Sequence, residues 1–196
     1  MSKGLTFATR GSQLLAWCGG ALMLLSAALI SLDVIARNIF ASTFFESFEL
    51  STYALAATVS FGMAYALSTK AHIRIEVLYV LFPRSLRRAL DILAIVSLLG
   101  VSLLMTWFGF QTLADSWALG ARSNSAMSVP LAVPQAIWVA GLAWFSVTCA
   151  VLAARTFVHL ARGRTDAVEK EVGVASLTEE IAASTEPLPS PLAERP

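Results

Sequence analysis

Charged side chains occur in short clusters along this chain, and two of the clusters hold residues at spacings that permit specific chemistry. Asp33 and Arg37 stand four positions apart, which places both side chains on one face of a helix, where they can form an ion pair. Glu46 and Glu49 precede an apolar stretch, and a carboxylate at the start of a helix is stabilised by the helix dipole. These four residues either lock helix ends or form a contact surface for a partner, and their spacing is consistent with both roles.

The residue types needed for catalysis, metal binding or electron transfer are present, but not in the patterns that such sites require. The two histidines, His72 and His159, lie outside the long apolar stretches, whereas a b-type haem would need paired histidines within them. Cys18 and Cys149 fall toward the same predicted side of the membrane, which argues against a disulfide-exchanging enzyme. Zinc-type clusters, nucleophile elbows and phosphate-binding loops are absent from the sequence. We therefore expect no catalytic, metal-binding or cofactor-binding residues, no enzyme activity and no nucleic-acid partner.

Four stretches without Asp, Glu, Lys or Arg must position these clusters. They are Gly11–Leu32, Leu50–Thr69, Ile92–Ala114 and Ser123–Ala154, with lengths of 22, 20, 23 and 32 residues. About 20 apolar residues are enough for a helix to cross the hydrocarbon core of a bilayer. The chain contains only 14% charged residues, whereas a soluble domain contains about 25%. The sequence therefore predicts an all-α integral membrane protein with four transmembrane helices. Ion pumps usually keep ionisable groups at membrane depth, and these stretches have none.

The basic residues predict how the four helices are oriented. Ten of them lie before the first span, between spans two and three, or close to the end of span four: Lys3, Arg10, Lys70, Arg74, Arg84, Arg87, Arg88, Arg155, Arg162 and Arg164. The two other connections hold only Arg37 and Arg122. Because cytoplasmic segments carry the excess of Lys and Arg, this asymmetry places both termini in the cytoplasm.

The predicted boundaries follow from charge, proline and composition. The membrane domain covers residues 1–162, with spans at about 12–36, 47–69, 88–114 and 131–157. Pro130 and Pro134 favour a start of the fourth helix near residue 131, because proline is tolerated in a first turn. An apolar face within about 71–82 predicts an amphipathic helix on the cytoplasmic membrane surface. Residues 163–196 are acidic and rich in proline, which predicts a disordered cytoplasmic tail.

Small residues recur every four positions in the second span. They are Ala54, Thr58, Gly62 and Ala66. In membranes, small side chains let two helix backbones approach closely, and this approach drives helix association where lipid is as apolar as protein. We therefore predict that this stripe packs against another helix, without specifying which one.

Four short segments, in their order along the chain, carry a resemblance to a known family. They are 33–40 (DVIARNIF), 46–53 (ESFELSTY), 71–77 (AHIRIEV) followed by Pro83, and 120–123 (GARS) leading into 129–134 (VPLAVP). With these segments in this order on four predicted transmembrane helices, the chain resembles the small membrane subunit of tripartite ATP-independent periplasmic (TRAP) transporters, the DctQ-type subunit. The resemblance covers roughly residues 12–160. One position departs from it, because Glu76 stands where the family commonly has Asp.

The resemblance implies a role within a three-component uptake system of the bacterial inner (cytoplasmic) membrane. A periplasmic DctP-type binding protein delivers an organic acid, and a large multi-span DctM-type subunit carries the substrate and sodium sites. The small subunit then acts as a scaffold that contacts both proteins and membrane lipid. It has no cofactor of its own, since sodium is used by the large subunit. The alternative is a small stand-alone membrane transporter that works as a dimer.

The resemblance also gives the charge clusters expected positions. Six residues would lie near the periplasmic boundary, as candidates for docking the binding protein or locking helix ends: Asp33, Arg37, Glu46, Glu49, Arg122 and Ser123. Three residues would fix the junction between the cytoplasmic surface helix and the second span: His72, Arg74 and Glu76.

Overall fold

Four long helices make up nearly all of the part of the chain that the structure, a computed structural model, describes. The described residues are 3–40, 47–69, 82–125 and 127–162. The helices are α1 (Lys3–Phe40), α2 (Ser47–Ser68), α3 (Arg84–Ala118) and α4 (Ala132–Ala161). All four are long and apolar enough to cross a membrane. The prediction of an all-α protein with four apolar, membrane-length helices is confirmed; the orientation of the helices stays a prediction.

The helices extend beyond the predicted apolar spans at most of their ends. The first span was expected at about 12–36, but α1 has 38 residues and at 1.5 Å per residue is about 57 Å long. This length exceeds the thickness of the hydrocarbon core, about 30 Å. A charge-free window shows which residues can lie in lipid, but the hydrogen bonds of a helix can continue beyond it. The fourth helix begins at Ala132 with Pro134 in its first turn, close to the predicted start. The predicted surface helix at about 71–82 lies outside the described residues, apart from Phe82. The predicted tail at 163–196 also lies outside them.

The helices pack in the order α1, α2, α4, α3, so the last helix of the chain lies between α2 and α3. Consistent with this position, the apolar window of α4 is the most buried of the four. Large apolar side chains on the other helices are exposed: Trp17 is 73%, Leu24 76% and Trp107 61% accessible. Apolar surface of this extent is typical of a protein covered by lipid or by another subunit.

The α3–α4 contact follows a regular spacing of alternately three and four residues. The side chains of α4 that meet α3 belong to the buried set Val139, Leu142, Ser146, Cys149 and Ala153. Thr106 and Ser146 share a hydrogen bond of 2.9 Å between their hydroxyl oxygens, and Ile95 packs with Ala153. This spacing is the one that keeps a single face of each helix in contact along its length.

The α2–α4 contact is built from small residues that lie beside the predicted stripe and not on it. The buried residues in this part of α2 are Ala57, Ser60 and Ala64. A Cβ added to Gly141 of α4 would stand 2.3 Å from the Ser60 Oγ and 2.7 Å from the Ser60 Cβ. Only glycine permits this approach, and Phe145 of α4 packs against Ala64 next to it. The two backbones therefore approach each other closely at the Ser60–Gly141 pair.

The predicted stripe is divided between one helix contact and open space. Thr58 packs on α1, where its Cα lies 3.1 Å from the position of a Cβ on Gly19. Gly62, in contrast, has no described atom outside its own helix within 4 Å of where its Cβ would stand. The described residues therefore show no close packing at Gly62 within this chain. Contact of Gly62 with a partner subunit stays a prediction.

The N-terminal part of α1 is also attached to α4. Trp144 donates its indole N–H to the Ser12 hydroxyl at 3.1 Å. The same indole ring lies over Gly11, where a Cβ would stand 2.3 Å from the Trp144 Cζ2. The absence of a side chain at Gly11 thus makes room for the ring, and α1 contacts α4 here in addition to its contacts with α2.

Thr58→Val should weaken the α1–α2 contact by a small, measurable amount. The Thr58 hydroxyl lies 2.9 Å from the Gly19 carbonyl and 2.7 Å from the Ala54 carbonyl of its own helix, so its one proton is shared between them. Valine has the same shape without the donor. Hydrogen bonds between membrane helices are worth about 0.6 kcal/mol on average, so the free energy of unfolding in detergent should fall by about that amount. Thr52→Val is the matched control, because the Thr52 hydroxyl bonds only within its own helix, to the Phe48 carbonyl. Equal losses in the two variants would show that the interhelical bond contributes nothing.

Candidate functional site

The predicted contact residues that the structure describes gather at one end of the bundle. This end, called the loop end below, comprises the last turns of α1, the first turns of α2 and the loop of residues 119–131 that joins α3 to α4. A buried hydrogen bond between Asp33 and Ser47 joins α1 to α2 there, and a bond between Glu49 and Ser125 joins α2 to the loop. Glu46 and the three predicted junction residues His72, Arg74 and Glu76 lie outside the described residues.

Asp33 is a buried carboxylate with two hydrogen-bond donors on one oxygen. Its Oδ2 accepts from the Arg37 Nη2 at 2.9 Å and from the Ser47 hydroxyl at 2.9 Å. The side chain of Asp33 is 1% accessible and that of Arg37 is 60% accessible. The ion pair suggested by the four-residue spacing is therefore present, with its negative partner shielded and its positive partner facing outward.

Glu49 connects the first turn of α2 to the α3–α4 loop. Its Oε1 accepts a hydrogen bond from the Tyr53 hydroxyl, one turn along the same helix. Its Oε2 accepts one from the Ser125 hydroxyl, 76 positions away in the chain. The carboxylate therefore has a local partner on α2 and a distant partner on the loop.

Backbone hydrogen bonds fold the described part of the α3–α4 loop into a short antiparallel bridge. The Ser123 N–H donates to the Val129 carbonyl at 2.9 Å, and the Leu131 N–H donates to the Ala121 carbonyl at 3.0 Å. The bend before the bridge uses Gly120, whose φ of +58° is readily adopted by glycine. The Arg122 guanidinium donates to the Ser128 carbonyl at 3.0 Å. The loop thus carries Arg122 on a hydrogen-bonded frame.

The predicted contact residues fall into two groups by exposure. Asp33, Glu49 and Ser123 direct their polar atoms to partners within the chain. Arg37 and Arg122 are exposed, so among the described members of the set they are the ones that present charge outward. Sequence reasoning missed Ser47, Tyr53 and Ser125, which complete the hydrogen bonds. A lone Ser or Tyr carries no signal of such a role, since its partner is set by the packing of distant helices.

The described residues offer little that resembles a substrate or metal site. Residues 3–40, 47–69, 82–125 and 127–162 contain no group of three or more His, Cys, Asp and Glu side chains placed to hold a metal. An open groove of about 350 Å³ lies between α3 and α4. Its lining is Val101, Leu104, Met105, Phe108, Gly109, Thr112 and Trp138. With one hydroxyl and no charged group, this lining suits an apolar surface in a membrane better than a polar solute.

Comparison with known families decides which group of proteins this chain represents. The family model for the DctQ component of tripartite ATP-independent periplasmic transporters matches residues 26–163. The chain belongs to the DctQ family. As a DctQ protein it is the small membrane subunit of a TRAP transporter, so it works with partners in a transport complex and not as an enzyme. No curated protein and no solved structure matches the chain.

The DctQ match includes every part of the loop end. It begins at Ser26 within α1 and continues through α2, α3 and α4. Asp33, Arg37, Glu49 and the α3–α4 loop all lie inside it. The family resemblance carried by the sequence segments is therefore confirmed, and the described site lies within the part of the chain that defines the family.

Proposed function

We propose that this DctQ subunit is the static scaffold of a sodium-driven TRAP transporter in the bacterial inner membrane. It braces a large multi-span DctM-type subunit, which carries the sodium and substrate sites. A periplasmic DctP-type binding protein delivers an organic acid to the complex. The loop end faces the periplasm in this proposal, and both termini lie in the cytoplasm.

The distribution of charge in the bundle carries this proposal. The middle of each helix is free of Asp, Glu, Lys and Arg, and the four charge-free stretches are 20 to 32 residues long. A subunit that moved ions itself would be expected to keep ionisable groups at that depth. The buried residues at that depth are instead small, hydroxyl-bearing or apolar, such as Ser60, Ala64 and Phe145, and the buried carboxylates Asp33 and Asp91 lie beyond the ends of the charge-free stretches. Such a bundle contributes shape and packing surface.

The loop end supports a docking role for Arg37 and Arg122. Both guanidinium groups are exposed, and each is attached to a structured support, Asp33 for Arg37 and the Ser128 carbonyl for Arg122. Guanidinium groups bind carboxylates in a planar, two-point geometry. We propose that they contact the binding protein, while the apolar outer faces of the helices contact the large subunit and lipid.

Purification and reconstitution test the proposal together. Co-expressed with its large and periplasmic partners, the full chain should purify in mild detergent as a stable assembly with the large subunit. In vesicles, uptake should require all three proteins and an inward sodium gradient, and it should stop when this chain is omitted. The ligand bound by the periplasmic partner would then identify the substrate. Recovery of this chain as a self-dimer that transports alone would overturn the scaffold role in favour of the stand-alone transporter.

A further inference from the structure

Both oxygens of the Glu49 carboxylate are engaged inside the chain. One oxygen accepts from Tyr53 on α2, and the other accepts from Ser125 on the α3–α4 loop. A carboxylate that docked a partner directly would be expected to direct at least one oxygen outward. The geometry of Glu49 instead favours an internal role at the junction of two segments that are distant in sequence.

The hydrogen bonds continue from Ser125 into the frame of the loop. The Ser125 and Ser123 hydroxyls lie 2.9 Å apart and share a hydrogen bond. The Ser123 hydroxyl also accepts from the Val129 N–H at 3.0 Å, across the bridge that pairs Arg122 with Pro130. A continuous path of bonds therefore leads from Glu49 to the backbone that carries Arg122.

Arg122 lies at the far side of this path, and among the described residues its guanidinium donates to the Ser128 carbonyl alone. Its contact with Ser128 uses one of the guanidinium nitrogens, and a guanidinium has five N–H donors. The residue is exposed. The loop bonds fix the direction of the side chain, so its remaining donors are pre-oriented for a carboxylate.

We infer that Glu49 is a positioning residue, which holds the α3–α4 loop against the start of α2 and thereby orients Arg122 toward an acidic surface of the periplasmic partner. This inference rests on the proposed function for the identity of the partner. The loop-holding part of it rests on the contacts of Glu49 alone. Glu49 then acts on docking through the loop, without touching the partner itself.

The test compares Glu49→Gln, Ser125→Ala and the double variant in the full transporter complex. Glutamine offers a single acceptor oxygen, so it cannot receive both hydroxyls in the same way. Hydrogen exchange at the loop amides of Ser123 and Leu131 should become about tenfold faster in each single variant, as expected for the loss of one hydrogen bond to a charged group. Affinity for the binding protein should fall by a similar factor. The double variant should match the single ones, because both changes break the same link.

Two further variants separate positioning from direct contact. Arg122→Ala should weaken the binding protein's affinity about as strongly while leaving exchange at Ser123 slow. Ser51→Ala is the matched control for the serine change, because the Ser51 hydroxyl bonds within α2, to the Phe48 carbonyl. It should alter neither exchange in the loop nor affinity.

Three results would overturn the inference. Slow loop exchange in Glu49→Gln would show that the carboxylate does not hold the loop. Fast exchange with unchanged affinity would show that loop order does not matter for docking. Losses of affinity that add up in the double variant would show that Glu49 contacts the partner directly. If the wild-type chain formed no complex with a binding protein, the proposed function would fail, whereas loop exchange in the isolated chain would still decide whether Glu49 holds the loop.

Discussion

Gly141→Val should destabilise the helix bundle far more than the same change at Gly62. A Cβ at Gly141 would stand 2.3 Å from the Ser60 Oγ, 2.7 Å from the Ser60 Cβ and 2.9 Å from the Phe61 Cδ1. Ser60 is a short side chain attached directly to the α2 backbone, so relief requires the two helices to separate. Overpacking of this kind costs about 1–3 kcal/mol, and valine adds two further methyl groups. The free energy of unfolding of the full chain in detergent measures the loss.

Gly62→Val is the matched control because it makes the same chemical change in the neighbouring helix. No described atom outside its own helix lies within 4 Å of a Cβ at Gly62, so the isolated chain should unfold with nearly unchanged free energy. Equal destabilisation by the two variants would contradict the close contact between Ser60 and Gly141. If Gly62→Val lowers the yield of the assembled transporter but not the stability of the isolated chain, then Gly62 packs on a partner, as the small-residue stripe predicts.

Arg37→Gln should destabilise the loop end more than Asp33→Asn, although each change removes one side of the same ion pair. Asp33 is 1% accessible and Arg37 is 60% accessible. Removing the guanidinium leaves a carboxylate that is shielded from water and has lost its neighbouring positive charge. Removing the carboxylate leaves a guanidinium that water already reaches. The first change should cost about 3 kcal/mol, the lower end of the range for broken buried pairs, and the second about 1 kcal/mol.

The double variant Asp33→Asn with Arg37→Gln provides the control for this asymmetry. Adding Asp33→Asn should restore part of the stability that Arg37→Gln loses, because it removes the buried negative charge. Unfolding free energies of the four proteins, measured in one detergent at neutral pH, give the comparison. A double variant that is less stable than Arg37→Gln alone, or a larger loss for Asp33→Asn, would show that burial of the carboxylate does not govern the pair.

The features that could be predicted from the sequence depend on local spacing or on composition. The Asp33–Arg37 pair follows from four-residue spacing on one helix, and the start of α4 near Pro134 follows from the restrictions on proline. Charge-free windows predict the four helices from composition, since the lipid environment selects apolar residue types directly. Helix ends were predicted less well, because charged residues such as Arg84 continue a helix beyond the apolar core.

The features that the sequence did not reveal depend on how distant helices meet. Ser47 and Ser125 bind carboxylates 14 and 76 positions away, and nothing near either serine in the sequence indicates the partner. The stripe through Thr58 and Gly62 and the contact face through Ser60 both consist of small residues. Choosing between them requires the rotation of α2 about its axis, which is set by the approach of Gly141 on α4.

The position of α4 in the middle of the bundle also has a consequence for the order in which the protein is made. Of the four described helices α4 is the last to leave the ribosome, yet it forms the packed contacts with α2 and α3, and its Trp144 donates a hydrogen bond to Ser12 of α1. Until its synthesis is complete, the α1–α2 hairpin and α3 lack the helix that packs against both of them. A nascent chain that stops before α4 therefore leaves small-residue and hydroxyl-bearing faces without the helix that covers them.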